Sequence, residues 1–343
     1  MGRHKAEAVV ITPPDEGSAK VGNVGFLSSG VDVAKIVGKV QGRYGKRKAL
    51  ADSVTSGNNI VLSDKDSDYV LSKDVSYWKP LTGVKGIPFG RIIQIAGKPD
   101  SGKSTTAMLF MKAAQQQGHV VILWDAEKKF SAKRYRDSIG GDPETLLVSR
   151  SKTILEGAQQ IAIMVKELKE EYPKVKIFIV WDSVGATLNS AEDVEDEDFS
   201  KQPGVSAREV SAAIKRFNKL IERYKNVETG EETVAVLCVN QVYATIGAMA
   251  KGDKEKGGQE LEFLSSLILR LSRKKDLLRV RQGQKVKYGI VSKAKVKKNH
   301  LFDGEECIAE LDLVVSADGI KLAEEVKSQN SDIHGWDDVD ESD

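Results

Sequence analysis

Two cysteines, Cys238 and Cys307, are all that the 343 residues contain. That excludes a disulfide framework and a cysteine-ligated metal centre, and it fits a reducing compartment. No apolar run approaches the roughly 18–20 residues of a membrane-spanning helix. The N-terminus carries charge without an apolar segment, so no secretory signal is expected. No sign of charge dominates: 52 Lys and Arg against 50 Asp and Glu leave a formal +2, and the whole-molecule field says little about partners. Internal repeats are missing. What is present is 40% apolar and 30% charged residues, enough to bury a sizeable core and too apolar for wholesale disorder. A soluble intracellular protein with local charge is expected. Positive clusters lie at 43–48, 273–281 and 293–298, and the C-terminal DIHGWDDVDESD is acidic.

Residues 1–27 mix Pro, Gly and charge and read as an arm. From residue 31, VDVAKIVGKVQGRYGKRKALA puts Val33, Ile36, Val37 and Val40 on one helical face. Residues 52–75 read as polar linker with one or two short strands. Beyond them, RIIQIA (91–96), HVVILWD (119–125), KIFIVWD (176–182) and TVAVLCVN (233–240) alternate with helical patterns. Near-continuous apolar strands separated by helices mark a parallel sheet covered on both faces. After Leu261, SSLILRLSR, KYGIVSKAKVKK and CIAELDLVVS read as antiparallel strands. The expected class is α/β, a mostly parallel central sheet flanked by helices with an antiparallel extension. Three segments are expected: an N-terminal arm, helix and linker (1–75), a core (76–320) and an acidic tail without fixed structure (321–343).

The first strand runs into Gly97, Lys98, Pro99, Asp100, Ser101, Gly102, Lys103, Ser104 and Thr105, a full G-x-x-x-x-G-K-[ST] followed by a helix. The glycines let backbone amides wrap phosphates at a helix N-terminus. Lys103 is placed to reach the β- and γ-phosphates, and the Ser104 hydroxyl to hold Mg²⁺. ATP and Mg²⁺ are the expected cofactors. Asp182 ends another strand, where a carboxylate holds the metal's water shell. Glu127 lies just past a further strand end; by position alone it either orients the water attacking the γ-phosphate or is a solvated loop acid. Trp124 and Trp181, before each strand-end aspartate, read as sheet packing. NQVYATIGAMAKGDKEKGG follows the last parallel strand as a long Gly- and Lys-rich segment, and such loops are usually functional or disordered.

In this order and with these gaps, GKPDSGKST, WDAEKKF, IVWDSVGA and VLCVNQV…GG resemble the RecA recombinase family of bacteria and its phage relatives of the UvsX type, over roughly residues 30–320. The resemblance implies a RecA-like P-loop NTPase core. It makes Glu127 the catalytic glutamate, Asp182 the Mg²⁺-associated aspartate and Gln241 a γ-phosphate sensor that signals into a DNA-binding loop at about 242–258. Residues 186–207 correspond to a first DNA loop. Arg208, Ser211 and Lys215 then fall where the DNA backbone is met, and Ile246 where a residue wedges between bases. Lys251, Lys254, Lys256, Gly257 and Gly258 complete the second loop. Lys298 matches a lysine acting on the neighbouring subunit's nucleotide, and His300 stands where a second lysine is usual. Tyr135 approximates an adenine-stacking tyrosine, one position out of place. QGRYGKRKAL matches a segment that joins neighbouring protomers.

Tyr243, Thr245 and Glu262 replace residues that are usually basic, and the acidic EDVEDED (192–198) reads as a solvated hairpin. The implied function is DNA-dependent ATP hydrolysis, filament formation on single-stranded DNA, and pairing and strand exchange with homologous duplex DNA in the cytoplasm of a bacterial or phage-infected cell. The implied partners are DNA, further copies of the chain, and single-strand-binding and loader proteins, with no membrane. A separate C-terminal domain of the bacterial proteins is not matched, which points to a phage. A non-catalytic paralogue acting as mediator and a hexameric helicase on the same core remain as alternatives.

Overall fold

The computed structural model describes residues 29–43, 54–56, 60–61, 69–190, 204–225, 231–244, 253–255, 258–282, 284–301, 307–317 and 319–329. The elements that position the site are β1 (Ile92–Gly97), α1 (Lys103–Gln116), β2 (Val120–Asp125), β3 (Leu146–Ser149), α2 (Ile154–Glu171), β4 (Ile177–Asp182), α3 (Val205–Arg223), β5 (Val234–Ala244), α4 (Gly258–Leu264), β6 (Ser265–Arg281), β7 (Gln284–Asn299), β8 (Glu310–Ser316), β9 (Gly319–Leu322) and α5 (Ala323–Gln329). Strands β6, β1, β5, β4, β2 and β3 lie in that order and run parallel. Antiparallel strands extend the sheet at both edges: β7, β8 and β9 beyond β6, and the short Val54–Ser56 beside β3. The mostly parallel sheet with an antiparallel extension is the class read from the sequence.

Successive residues of each parallel strand bury on opposite faces, as the period of two dictates. Ile93, Ile95, Leu123, Val180 and Leu237 join one core with Phe110 and Met108 of α1. Ile122, Ile179, Trp181 and Val236 join the other with α2 and α3. The α2 stripe Ile154, Ala158, Ile161, Val165 and Leu168 is entirely buried in that second core, matching its helical spacing. Trp124 and Trp181 stack on each other within this second core at 4.3 Å and 9°.

The helix Val33–Arg43 buries Ile36, Val37 and Val40 in the second core, and Lys35 and Lys39 both pair with Glu171 of α2. Val54–Ser56 pairs with β3 at the sheet edge. The antiparallel strands are also longer than their apolar cores. β6 and β7 pair from Leu267–Asn299 out to Arg281–Gln284, carried past the core by charged residues such as Arg273, Lys275 and Lys285.

Candidate nucleotide site

β1 ends at Gly97 and turns between β6 and α1. A Cβ on Gly97 would lie 2.2 Å from the Leu271 carbonyl oxygen and 2.7 Å from Ser101 Oγ, so a larger residue would push the turn open. Gly102 sits at φ +95°, a conformation glycine adopts without strain. It precedes α1 with no side chain covering the first-turn amides, which leaves that positive helix end to an anion. Lys103 is buried, its Nζ donating to the Lys98 carbonyl at 2.6 Å. Burial lowers its pKa, opposed by the charges of Asp182, Glu127 and Asp100.

Asp182 ends β4 in register with Asp125 of β2. Burial pushes its carboxyl up to about 6; a hydrogen bond from Ser104 opposes this, and the neighbouring carboxylates of Glu127 and Asp125 add to it. Ser104 and Asp182 therefore place two oxygen donors together where like charge accumulates, a donor set that suits Mg²⁺. Among the described residues no cluster of three or more His, Cys, Asp or Glu forms a cage for a metal. Mg²⁺ held by one or two protein oxygens and by phosphates needs no such cage. The glycine cradle, the buried ammonium and this oxygen pair fit a Mg²⁺–nucleoside triphosphate.

Glu127 is placed by the turn that follows β2. The Asp125 carboxylate accepts the N–H groups of Lys129 (3.0 Å) and Phe130 (3.3 Å), with Lys128 just before them at φ +55°. Glu127 Oε1 accepts Ser183 Oγ at 2.5 Å and Gln241 Nε2 at 2.8 Å, and Oε2 accepts Lys129 Nζ at 2.6 Å. Burial alone would raise its pKa; the bonds from Lys129, Ser183 and Gln241 together outweigh that and lower it. Gln241 is held on β5 directly beside Gly97 of β1. These residues, with the apolar Met108, Met111, Ile290 and Val315, line one open cavity of about 810 Å³.

The segment after Gln241 is a β-ribbon at its base. β5 continues to Ala244, and Asp253–Glu255 pairs back on it, Tyr243 opposite Lys254. α4 then starts at Gly258. Ile246, Lys251, Lys256 and Gly257, the acidic 192–198 and the basic 44–48 lie outside the described residues. Arg208, Ser211 and Lys215 follow one another by three and four residues on α3, and so share a face. Lys215 pairs with Glu260 of α4 at 3.5 Å, bridging the two segments expected to meet DNA.

Two expected site residues stand apart from the cavity. Tyr135 is fully buried in the first core, its hydroxyl donating to Gln115 Oε1 at 2.7 Å, so neither ring face is open to a base. Its neighbour Arg134 lines the cavity instead and donates to Thr105 Oγ1 at 3.0 Å. Lys298 Nζ donates to the carbonyls of Glu262 and Phe263 at 2.8 Å each, closing the C-terminal end of α4, and is absent from the cavity lining. Ser183 and Lys129, which both hold Glu127, were not singled out from sequence; they lie in WDSVGA and WDAEKKF, next to the residues that were.

A phosphate cradle at the end of a central parallel strand, with carboxylates at the ends of two others, defines a P-loop nucleotide-binding core. The sequence profile of the RecA N-terminal domain matches residues 54–321. Protein RecA of Nautilia profundicola is 32% identical over 256 residues, 74% of this chain and 67% of that protein. Protein RecA of Thermus aquaticus is 32% identical over 220 residues, 64% and 59% of the two chains, and that of Agrobacterium fabrum 29% over 264 residues, 77% and 65%. The chain belongs to the RecA family, and the matched part spans 59–67% of these relatives' own lengths.

Proposed function

We propose that this protein is a DNA-dependent ATPase that assembles on single-stranded DNA and promotes pairing and strand exchange with homologous duplex DNA. The observation that carries this reading is the 2.8 Å bond from Gln241 to Glu127. It ties the residue suited to orient water to the strand that continues into the Lys- and Gly-rich segment 245–257. Glu127 takes a proton from water as the water oxygen bonds to the γ-phosphorus. The bond from that phosphorus to the bridging oxygen breaks, its electron pair leaving with ADP. Lys103 and the α1 amides hold the phosphates, and Ser104 and Asp182 hold Mg²⁺, which neutralises phosphate charge when bound.

Gln241 exchanges its bond to Glu127 for the γ-phosphate, and the segment that follows binds DNA tightly only in the triphosphate state, a nucleotide-driven switch. Arg208, Ser211 and Lys215 meet the phosphate backbone, together with Lys251, Lys254 and Lys256. Ile246 separates bases, and Gly257 and Gly258 let the chain approach the strand. Lys298, away from its own chain's cavity, acts on the nucleotide of an adjacent protomer in a filament. Gln241→Ala tests the reading: binding of single-stranded DNA should lose its dependence on ATP over ADP while nucleotide affinity stays within about twofold, under half a kcal/mol. An ATP-dependent DNA affinity equal to wild type would refute the switch.

A further inference from the structure

The bonds around Glu127 are of two kinds. Ser183 is 1% exposed and donates to Oε1 alongside Gln241; the Ser183 bond keeps the carboxylate in place when Gln241 moves to the γ-phosphate. Oε2 faces Lys129, whose side chain is 79% exposed. An exposed lysine–carboxylate pair is weak because water screens it, so it yields readily to a stronger partner. Lys129 is nevertheless confined. Its backbone N–H is bonded to the Asp125 carboxylate, its side chain lines the nucleotide cavity, and it feels Asp182 and Asp100 besides Glu127. The terminal phosphate of a bound triphosphate, with about two negative charges, competes strongly for this ammonium.

We propose that Lys129 is a counter-ion that changes partners, paired with Glu127 when no triphosphate is bound and with a terminal phosphate oxygen when one is. The exchange uncovers Oε2 for the attacking water. It also brings a second ammonium, beside Lys103, to the oxygens of the phosphoryl group in transfer. A diphosphate offers no terminal group at that position, so Lys129 stays on Glu127 and the base stays covered. Lys129 thereby makes the site distinguish ATP from ADP. This rests on the reading of Glu127 and the phosphate loop given above.

The test is equilibrium binding of a non-hydrolysable ATP analogue and of ADP, each with Mg²⁺, together with steady-state hydrolysis, for wild type, Lys129→Met and Lys129→Arg. Lys129→Met should weaken the analogue about tenfold, equivalent to ~1.4 kcal/mol, change ADP affinity less than about twofold, and lower kcat more than it raises KM. Lys129→Arg should restore the ratio of the two affinities. An unchanged ratio in Lys129→Met overturns the proposal, and so does an equal loss for both nucleotides, the mark of a purely structural role. Lys103→Ala and Glu127→Gln report on the underlying reading separately. If the first keeps nucleotide affinity, or the second hydrolyses ATP at the wild-type rate, that reading fails whatever Lys129 does.

Discussion

Tyr135 and Arg134 are adjacent in sequence and opposite in environment. One residue of helical progression turns a side chain by about 100°, which here separates the core from the cavity. Tyr135→Phe removes the hydroxyl bonded to Gln115 and should cost about 1–2 kcal/mol, the usual loss for a buried hydrogen bond. It should leave the KM for ATP unchanged; a rise in KM without loss of stability would return Tyr135 to the nucleotide. His119 makes a second residue-scale case. It is 3% exposed, neither ring nitrogen has a partner among the described residues, and it packs edge-on to Phe89 at 5.0 Å. Burial, with the positive charge of Lys176 adding, lowers its pKa to about 3. The unfolded chain takes up this proton first, so stability is full above about pH 6.5 and falls as pH drops from there towards 3. The slope from this residue reaches about 1.4 kcal/mol per pH unit. Urea midpoints of wild type and His119→Leu should diverge with pH across that window; a constant difference would contradict the assignment.

Elements meet closely where α2 crosses the sheet. A Cβ on Gly157 would lie 2.0 Å from the ring of Trp124, itself stacked on Trp181. Gly157→Ala should therefore destabilise the fold by about 1–3 kcal/mol through overpacking, despite alanine's better helix propensity. A lower urea midpoint at unchanged m-value is the expected readout, and equal or greater stability would contradict the packing described. The strands, α1, α2 and the phosphate loop were legible in sequence because each is written in local spacing: apolar runs, a helical stripe, a glycine motif at a strand end. Ser183 was not legible as a partner of Glu127, which lies 56 residues away. Their contact depends on β2 lying beside β4, and sheet order is not encoded in either segment alone. The hairpin base at Asp253–Glu255 was hidden for a different reason. Its residues are charged and glycine-flanked, and pairing with β5 overrides a composition that reads as loop.

Across the whole molecule, one line of contacts joins the nucleotide to the surface expected to carry DNA. β1 supplies the phosphate loop and β5 beside it supplies Gln241. β5 then leads through the ribbon to α4, which Lys215 ties to α3 and Lys298 closes at its end. In the proposed reading nucleotide state and DNA affinity are coupled along this path, and such coupling is reciprocal for binding: if ATP tightens DNA binding, DNA tightens ATP binding by the same factor. The measurement that tests this most directly is the rate of ATP hydrolysis with and without single-stranded DNA, for wild type and Lys103→Ala. The account predicts that DNA raises the wild-type rate at least about tenfold, a barrier change of ~1.4 kcal/mol, and that Lys103→Ala is inactive in both conditions. A wild-type rate indifferent to DNA would contradict it.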